Sequence, residues 1–215
     1  MSWIRKSAWL ITTIVIAIPV FVFGVVRWYE RKYESLPVYG EEVKDVDGHR
    51  AEHRIADFSM TNQDGLKVTL ASLKGKIVVA NFFFTSCPSI CPKMMNHLRD
   101  LRQYFGEDSR LALVSFTVDP ARDSSTRLAK YATERDINTK NWNLLTGDKR
   151  EIYKLARKSF YLSATEGDGG ENDFIHSDQL VLLDTLRRIR GYYSGTDEKA
   201  IENIKTDIKK LENER

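Results

Sequence analysis

Cysteine is scarce in this chain, since its 215 residues contain only two, Cys87 and Cys91. A protein whose fold depends on a framework of disulfides needs several pairs, so that class is excluded. The chain also lacks an excess of charge of one sign, because 33 Lys and Arg residues stand against 30 Asp and Glu residues for a net charge of +3. Nucleic-acid-binding proteins carry a concentrated basic surface, and we therefore expect no nucleic-acid partner.

Charged residues are absent from one long N-terminal stretch, the twenty positions Ser7–Val26. A helix rises about 1.5 Å per residue, so this stretch would span roughly 30 Å, the thickness of the hydrocarbon core of a bilayer. A cleaved signal peptide is the alternative, but its apolar part is normally shorter and no small-x-small cleavage site follows the stretch. We expect residues 1–33 to form an uncleaved membrane anchor with a single span at about 7–26.

The rest of the chain divides into a polar linker, residues 34–54, and one α/β domain, residues 55–215. Two apolar runs of strand length, Ile77–Phe84 and Leu111–Val118, are typical of strands buried on both faces. Apolar residues at helical spacing separate the runs, which indicates parallel pairing. A predicted hairpin, residues 179–193, and an amphipathic helix follow. This order favours a thioredoxin-like fold, with a central mixed sheet flanked by helices.

The two cysteines come directly after the first apolar run, in Cys87-Pro88-Ser89-Ile90-Cys91-Pro92. Residues four apart on a helical turn lie close enough for their sulfurs to form a disulfide or share one metal ion. The backbone N–H groups of a helix N-terminus also stabilise a thiolate. A purely structural disulfide would close too small a loop to stabilise much. The Pro-rich turn argues against two deeply buried, inert thiols.

The four histidines differ in how well their positions in the sequence suit a metal ligand. His49 and His53 fall in the linker, where we expect them to be solvated. His97 lies on the helix after the cysteines and is interpreted as a residue at the edge of the core. His176 lies between a glycine-rich segment, residues 166–173, and a predicted strand, where a loop could bring it to the thiols.

Asp119 directly follows the second apolar run, Leu111–Val118. Parallel neighbouring strands end at the same edge of a sheet, so Asp119 is expected near the cysteines. The alternative is a turn or helix cap, a common role for Asp before Pro.

The segment Phe84–Pro92 (FTSCPSICP) resembles the Cys-x-x-x-Cys-Pro core of the Sco/SenC family. The resemblance continues in Phe116–Asp123, in Trp142–Gly147 and in a histidine 85 residues after the second cysteine, and it covers roughly Ile55 to Leu211. It implies a thioredoxin-like, membrane-anchored copper protein needed to assemble cytochrome c oxidase.

Carried over by resemblance, the copper ligands are Cys87, Cys91 and His176, with Asp119 as an auxiliary. Two thiolates and one imidazole suit Cu(I), and they suit Cu(II) with a further O or N ligand. The implied copper acceptor is the dinuclear copper centre of oxidase subunit II, and a copper donor protein is implied as well. That centre faces the periplasm in bacteria, so the domain is expected on the periplasmic side of the inner membrane. The charges flanking the span do not decide its orientation.

Three alternatives remain open. Cys87 and Cys91 could serve as the redox-active pair of a thiol–disulfide oxidoreductase, although such enzymes usually carry Cys-x-x-Cys. The pair could supply the attacking and resolving thiols of a peroxidase or redox sensor. The third alternative is zinc bound by the two cysteines and a histidine, although a closed structural zinc site would need a fourth ligand.

Overall fold

The computed structural model describes residues 15–29, 35–41, 43–44, 50–106, 110–137, 140–162 and 177–214. The chain forms two units, Met1–Ser35 and Leu36–Arg215.

In the first unit, residues 15–29 form helix α1, whose side chains are all exposed. Within the described residues, no helix combines the length and the apolar character that crossing a membrane requires. The predicted span at about 7–26 overlaps α1 only in part, because its first eight residues lie outside the described part of the chain.

The second unit contains nine strands and four further α-helices among its described residues. The strands are β1 (Val43–Lys44), β2 (Arg50–Ala51), β3 (Ser59–Asn62), β4 (Lys67–Thr69), β5 (Ile77–Phe83), β6 (Leu111–Thr117), β7 (Trp142–Thr146), β8 (Gln179–Leu183) and β9 (Ile189–Ser194). The helices are α2 (Ile90–Phe105), α3 (Ser125–Glu134), α4 (Lys149–Lys154) and α5 (Glu198–Asn213), with a 3-10 turn at Leu70–Leu73 and a π-helical turn at Leu155–Ser159.

Seven strands form one mixed sheet in the order β4-β3-β7-β6-β5-β8-β9. The central strands β5, β6 and β7 are parallel, whereas β3, β4, β8 and β9 each join by antiparallel pairing. The mixed sheet, the parallel pair β5–β6 and the hairpin β8–β9 confirm the predictions from the sequence.

All seven residues of β5 are buried, because helices cover both faces of the sheet. Side chains alternate along a strand. Val78, Ala80 and Phe82 therefore pack into one core cluster, together with α4 and the π-helical turn. Ile77, Val79 and Phe83 pack into the other cluster, with α2, α3 and α5. Apolar residues occupy both sets of alternating positions because both faces of the strand are covered.

The expectation that His53 is solvated was wrong. Its ring is buried, with Nε2 2.8 Å from the carbonyl oxygen of Ser159 and Nδ1 3.1 Å from the hydroxyl of Tyr161. Both partners lie more than 100 residues later in the chain, so the local polar composition gave no sign of this packing. His49 lies outside the described residues.

Candidate metal centre

The cysteines lie where β5 passes into α2, as the sequence predicted. The strand ends at Phe83, and the N–H of Cys87 then donates to the carbonyl oxygen of Phe84 at 3.3 Å, which closes a tight turn. Helix α2 begins at Ile90, so Cys91 lies in its first turn. Cys87 lies before the helix. The prediction that both thiols lie on one helical turn was therefore wrong.

The two thiols are nevertheless brought together. The backbone N–H of Cys91 donates to the Cys87 sulfur at 3.3 Å. Both cysteines are free, and their burial differs, since Cys91 is only 5% exposed while Cys87 is half-buried. One sulfur therefore faces the surface and the other lies beneath it.

The surroundings shift the pKa values of the thiols in opposite directions. Burial raises the pKa of Cys87, but hydrogen bonds from the Cys91 N–H, the Cys91 thiol and the backbone at Ser89 and Ile90 outweigh it, so the pKa is lowered. Burial, followed by the hydrogen bond to the Cys87 side chain, raises the pKa of Cys91 to about 12. Cys87 is thus the thiol that more readily becomes the thiolate, which is the nucleophile and the metal ligand.

Both thiols open into a cleft of about 390 Å³. Phe84, Ile90 and Val118 supply apolar walls, and the run Ser177–Gln179 supplies polar ones. That run directly follows His176 in the sequence, although it is more than 80 residues from the cysteines.

The run after His176 is held firmly. The Ser194 hydroxyl donates to Oδ2 of Asp178 at 2.6 Å, and the N–H of Gly195 donates to the Asp178 carbonyl oxygen at 2.7 Å. His176 itself and the glycine-rich segment 166–173 lie outside the described residues. Among the residues that are described, no three His, Cys, Asp or Glu side chains form a group able to hold a metal ion.

Asp119 follows β6 and is half-buried, but it is not among the described residues that line the cleft. Its N–H donates to Oγ1 of Thr117 at 3.0 Å, and its carboxylate lies 3.7 Å from the guanidinium of Arg122. Its role as an auxiliary ligand stays a prediction.

Sequence reasoning missed Asp123, a carboxylate only 1% exposed. It accepts hydrogen bonds from Thr85, two residues before Cys87. A signal was present, because Asp123 ends the Phe116–Asp123 segment that carries part of the resemblance.

A larger cleft of about 540 Å³ lies beside β3 and the π-helical turn, against His53, Phe58 and Met60. It contains neither cysteine. The smaller cleft is the candidate site because the soft, nucleophilic groups are there.

Known proteins match this chain over most of the second unit. The SCO1/SenC family model matches residues 46–213. The chain belongs to the SCO1/SenC family. The SCO1 protein homolog of Bacillus subtilis (strain 168) is 34% identical over 172 residues, which cover 79% of this chain and 86% of that protein.

Solved SCO1/SenC-like structures share the fold. BsSco, a member of the Sco family of cytochrome c oxidase assembly proteins with a disulfide switch, is 31% identical with a TM-score of 0.66, covering 80% of this chain and 99% of its own. Bradyrhizobium japonicum ScoI, solved with copper bound, is 27% identical with a TM-score of 0.56, covering 70% of this chain and 96% of its own.

Proposed function

We propose that this chain is a membrane-anchored copper-binding protein that helps to assemble the dinuclear copper centre of cytochrome c oxidase subunit II. Copper is bound by Cys87, Cys91 and His176. One observation carries the proposal: two free thiols, linked by the hydrogen bond from the Cys91 N–H to the Cys87 sulfur, open into a cleft whose wall includes the residues that follow His176.

The donor set fits copper. Thiolates are soft ligands that select Cu(I), and an imidazole suits either oxidation state. The lowered pKa of Cys87 means that its thiolate forms more readily than that of an ordinary cysteine, and Cys91 loses its proton when the metal binds. Membership of the SCO1/SenC family and the copper-bound relative support this reading of the thiol pair.

His176 supplies the third ligand. The run Ser177–Gln179 lines the cleft, and Asp178 is pinned by Ser194 and Gly195. The run that directly follows His176 in the sequence therefore lies in a fixed position at the edge of the cleft. Asp119 acts as an auxiliary carboxylate from the end of β6, where parallel strands finish at the same edge of the sheet as the cysteines.

The anchor is a single span at about 7–26, and the domain lies on the periplasmic side of a bacterial inner membrane. The uncharged stretch Ser7–Val26 supports the span. The periplasmic side follows from the proposed acceptor, since the dinuclear copper centre of subunit II faces that compartment.

Copper titration of the full-length protein in detergent tests the proposal. We expect one copper per chain and, with Cu(II), absorbance from sulfur-to-copper charge transfer. Cys87→Ser and Cys91→Ser should each abolish that absorbance, whereas Ser89→Ala in the same loop should keep it. Copper binding that survives in both cysteine variants would refute the assignment.

A second function is favoured by the unequal thiols. A half-buried thiol of lowered pKa beside a buried thiol of raised pKa suits attack on a disulfide by the first and resolution by the second. The chain would then act as a thiol–disulfide oxidoreductase that reduces a disulfide between cysteines of the oxidase subunit or another extracytoplasmic partner, while Cys87 and Cys91 are oxidised to a disulfide. Reduced acceptor thiols are also needed before copper can be delivered to them.

Complementation of a strain that lacks this protein separates the two functions. A reductase needs both cysteines but not His176, so His176→Ala would restore oxidase activity while Cys87→Ser would not. Failure of both variants supports copper delivery.

A further inference from the structure

We propose that Asp123 is a positioning residue for the thiol pair, because its carboxylate fastens the turn that leads into Cys87 to the end of β6. This inference deepens the proposed function and rests on it in so far as the thiol pair binds copper. Asp123 lies outside the loop that carries the cysteines, in the segment between β6 and α3.

The Asp123 carboxylate accepts three hydrogen bonds inside the protein. Oδ2 accepts from the backbone N–H of Thr85 at 3.0 Å and from the hydroxyl of Thr117 at 2.5 Å. Oδ1 accepts from the hydroxyl of Thr85 at 2.5 Å. All three donors are uncharged, and hydrogen bonds to a carboxylate are stronger than those between neutral groups. Asp123 thereby links the loop after β5 to the last residue of β6.

Thr85 is held from a second direction as well. The Nε of Arg127 on α3 donates to the Thr85 hydroxyl at 3.2 Å, so that hydroxyl accepts from Arg127 and donates to Asp123. The N–H of Asp123 in turn donates to the carbonyl oxygen of Asp119 at 2.9 Å. The backbone and the side chain of Thr85 are both fixed, which leaves this residue little freedom.

The hydrogen bonds that fix Thr85 also restrict the position of Cys87, two residues later in the same turn. Thr85 and Ser86 are the central residues of the turn that the Cys87 N–H closes on Phe84. The Cys87 sulfur accepts from the Cys91 N–H at the start of α2, so its position depends on where this turn leaves the chain. Residues that hold a ligand in place through hydrogen bonds tune the affinity of a metal site without touching the metal.

Preorganisation of the turn also affects how readily the two free sulfurs form a disulfide. A turn that keeps the two thiols together raises their effective concentration, which favours a disulfide over two separate thiols. Loss of the Asp123 carboxylate should therefore weaken copper binding and make the disulfide less favourable.

The test compares the full-length wild type with Asp123→Asn, which keeps the size of the side chain but turns one acceptor oxygen into a donor. Two quantities are measured in detergent: the Cu(I) affinity, by competition with a chromophoric chelator, and the equilibrium constant for disulfide formation in glutathione buffers. We expect the Cu(I) affinity to fall about tenfold. We expect the disulfide equilibrium constant to fall about threefold or more.

Asp184→Asn is the matched control. Asp184 is a buried carboxylate, 6% exposed, and it accepts from the backbone N–H groups of Leu186 and Arg188. It lies in the turn after β8, and β8 runs antiparallel to β5, so it is at the opposite end of the sheet from the cysteines. The control should lose thermal stability but keep the wild-type copper affinity and disulfide equilibrium.

Thr85→Val replaces the hydroxyl that joins Asp123 to Arg127 with a methyl group. This variant tests the role of the Asp123 contact if Asp123→Asn does not fold. We expect smaller shifts in the same directions. The inference is overturned if the variants lose stability while both equilibria stay at the wild-type values. If the wild type binds no copper, the proposed function fails, and the disulfide equilibrium alone still decides the role of Asp123.

Discussion

The backbone N–H of Cys91 points at the sulfur of Cys87 across 3.3 Å. The two thiols are chemically unequal for two reasons. Only the Cys87 sulfur accepts this hydrogen bond, and it is half-buried, whereas Cys91 is buried at the start of α2. Cys87 therefore forms its thiolate more readily than Cys91 does.

Alkylation should report this inequality. The ordinary thiol pKa is 9.0, and that of Cys87 is lowered while that of Cys91 is raised to about 12. Since the thiolate is the reactive form, Cys87 should react with iodoacetamide at lower pH than a free cysteine does. Cys91 should react slowly until the pH is well above 9.0.

Single-cysteine variants allow this comparison by mass spectrometry across a pH series. Cys91→Ser isolates Cys87, and Cys87→Ser isolates Cys91. Equal rates for the two variants at pH values below 9.0 would contradict the assigned difference.

Replacement of Arg190 should destabilise the second unit strongly. Its side chain is 2% exposed and bonds the carboxylates of Asp184 and Glu214 at 3.0 and 2.7 Å. It also donates to the carbonyl oxygens of Leu36 and Pro37, so it ties the beginning of the unit to its end. Arg190→Met removes one of the two arginine partners of the buried Asp184 carboxylate and the arginine partner of Glu214, which should lower the free energy of unfolding by about 3–5 kcal/mol.

Urea denaturation followed by circular dichroism measures that loss. Arg187→Met is the control, because Arg187 is more exposed and its 3.5 Å pair with Asp57 is open to solvent. An exposed pair of this kind contributes less than about 1 kcal/mol. Similar losses in the two variants would show that the buried network around Arg190 does not stabilise the fold.

Gly195 should not tolerate alanine. An added Cβ would lie 2.7 Å from Cγ of Met94 and 2.9 Å from the backbone oxygen of Asp178. Met94 belongs to α2, and Asp178 lies at the edge of the thiol cleft, so both neighbours would have to move. Overpacking of this kind costs about 1–3 kcal/mol, and we expect the melting temperature of Gly195→Ala to fall.

Gly147→Ala provides the comparison, since the closest atom to its Cβ would be Cγ of the flexible Met60 side chain, at 3.2 Å, and the Met60 backbone would lie at 4.0 Å, an ordinary contact distance. The melting temperature should fall less than that of Gly195→Ala. A larger effect at Gly147 would contradict the close packing assigned to the turn between β9 and α5.

Patterns within a single segment predicted much of the fold. The runs that became β5 and β6 were visible because a strand covered on both faces carries apolar side chains at most positions. The thiol pair was visible because its spacing and the preceding strand are local features. Phe84–Pro92 also carried the resemblance to the family.

Contacts between distant segments were not visible. His53 is buried against Ser159, and Asp123 holds Thr85 across 38 positions of the chain. Asn81 lies in the middle of β5, fully buried, because its side-chain oxygen accepts from the Ser115 hydroxyl at 2.6 Å. A polar residue reveals such a role only when its partner is known, and the partner is fixed by the tertiary structure.

The most direct test of copper binding by the thiol pair and His176 is the Cu(II) affinity of His176→Ala beside that of His97→Ala. His97 is a half-buried histidine of α2 whose Nδ1 lies 2.8 Å from the Gly195 carbonyl oxygen, so it controls for loss of an imidazole elsewhere in the domain. We predict that His176→Ala weakens Cu(II) binding by about a hundredfold or more, while His97→Ala leaves it near the wild-type value. Equal affinities for the two variants would contradict the copper site.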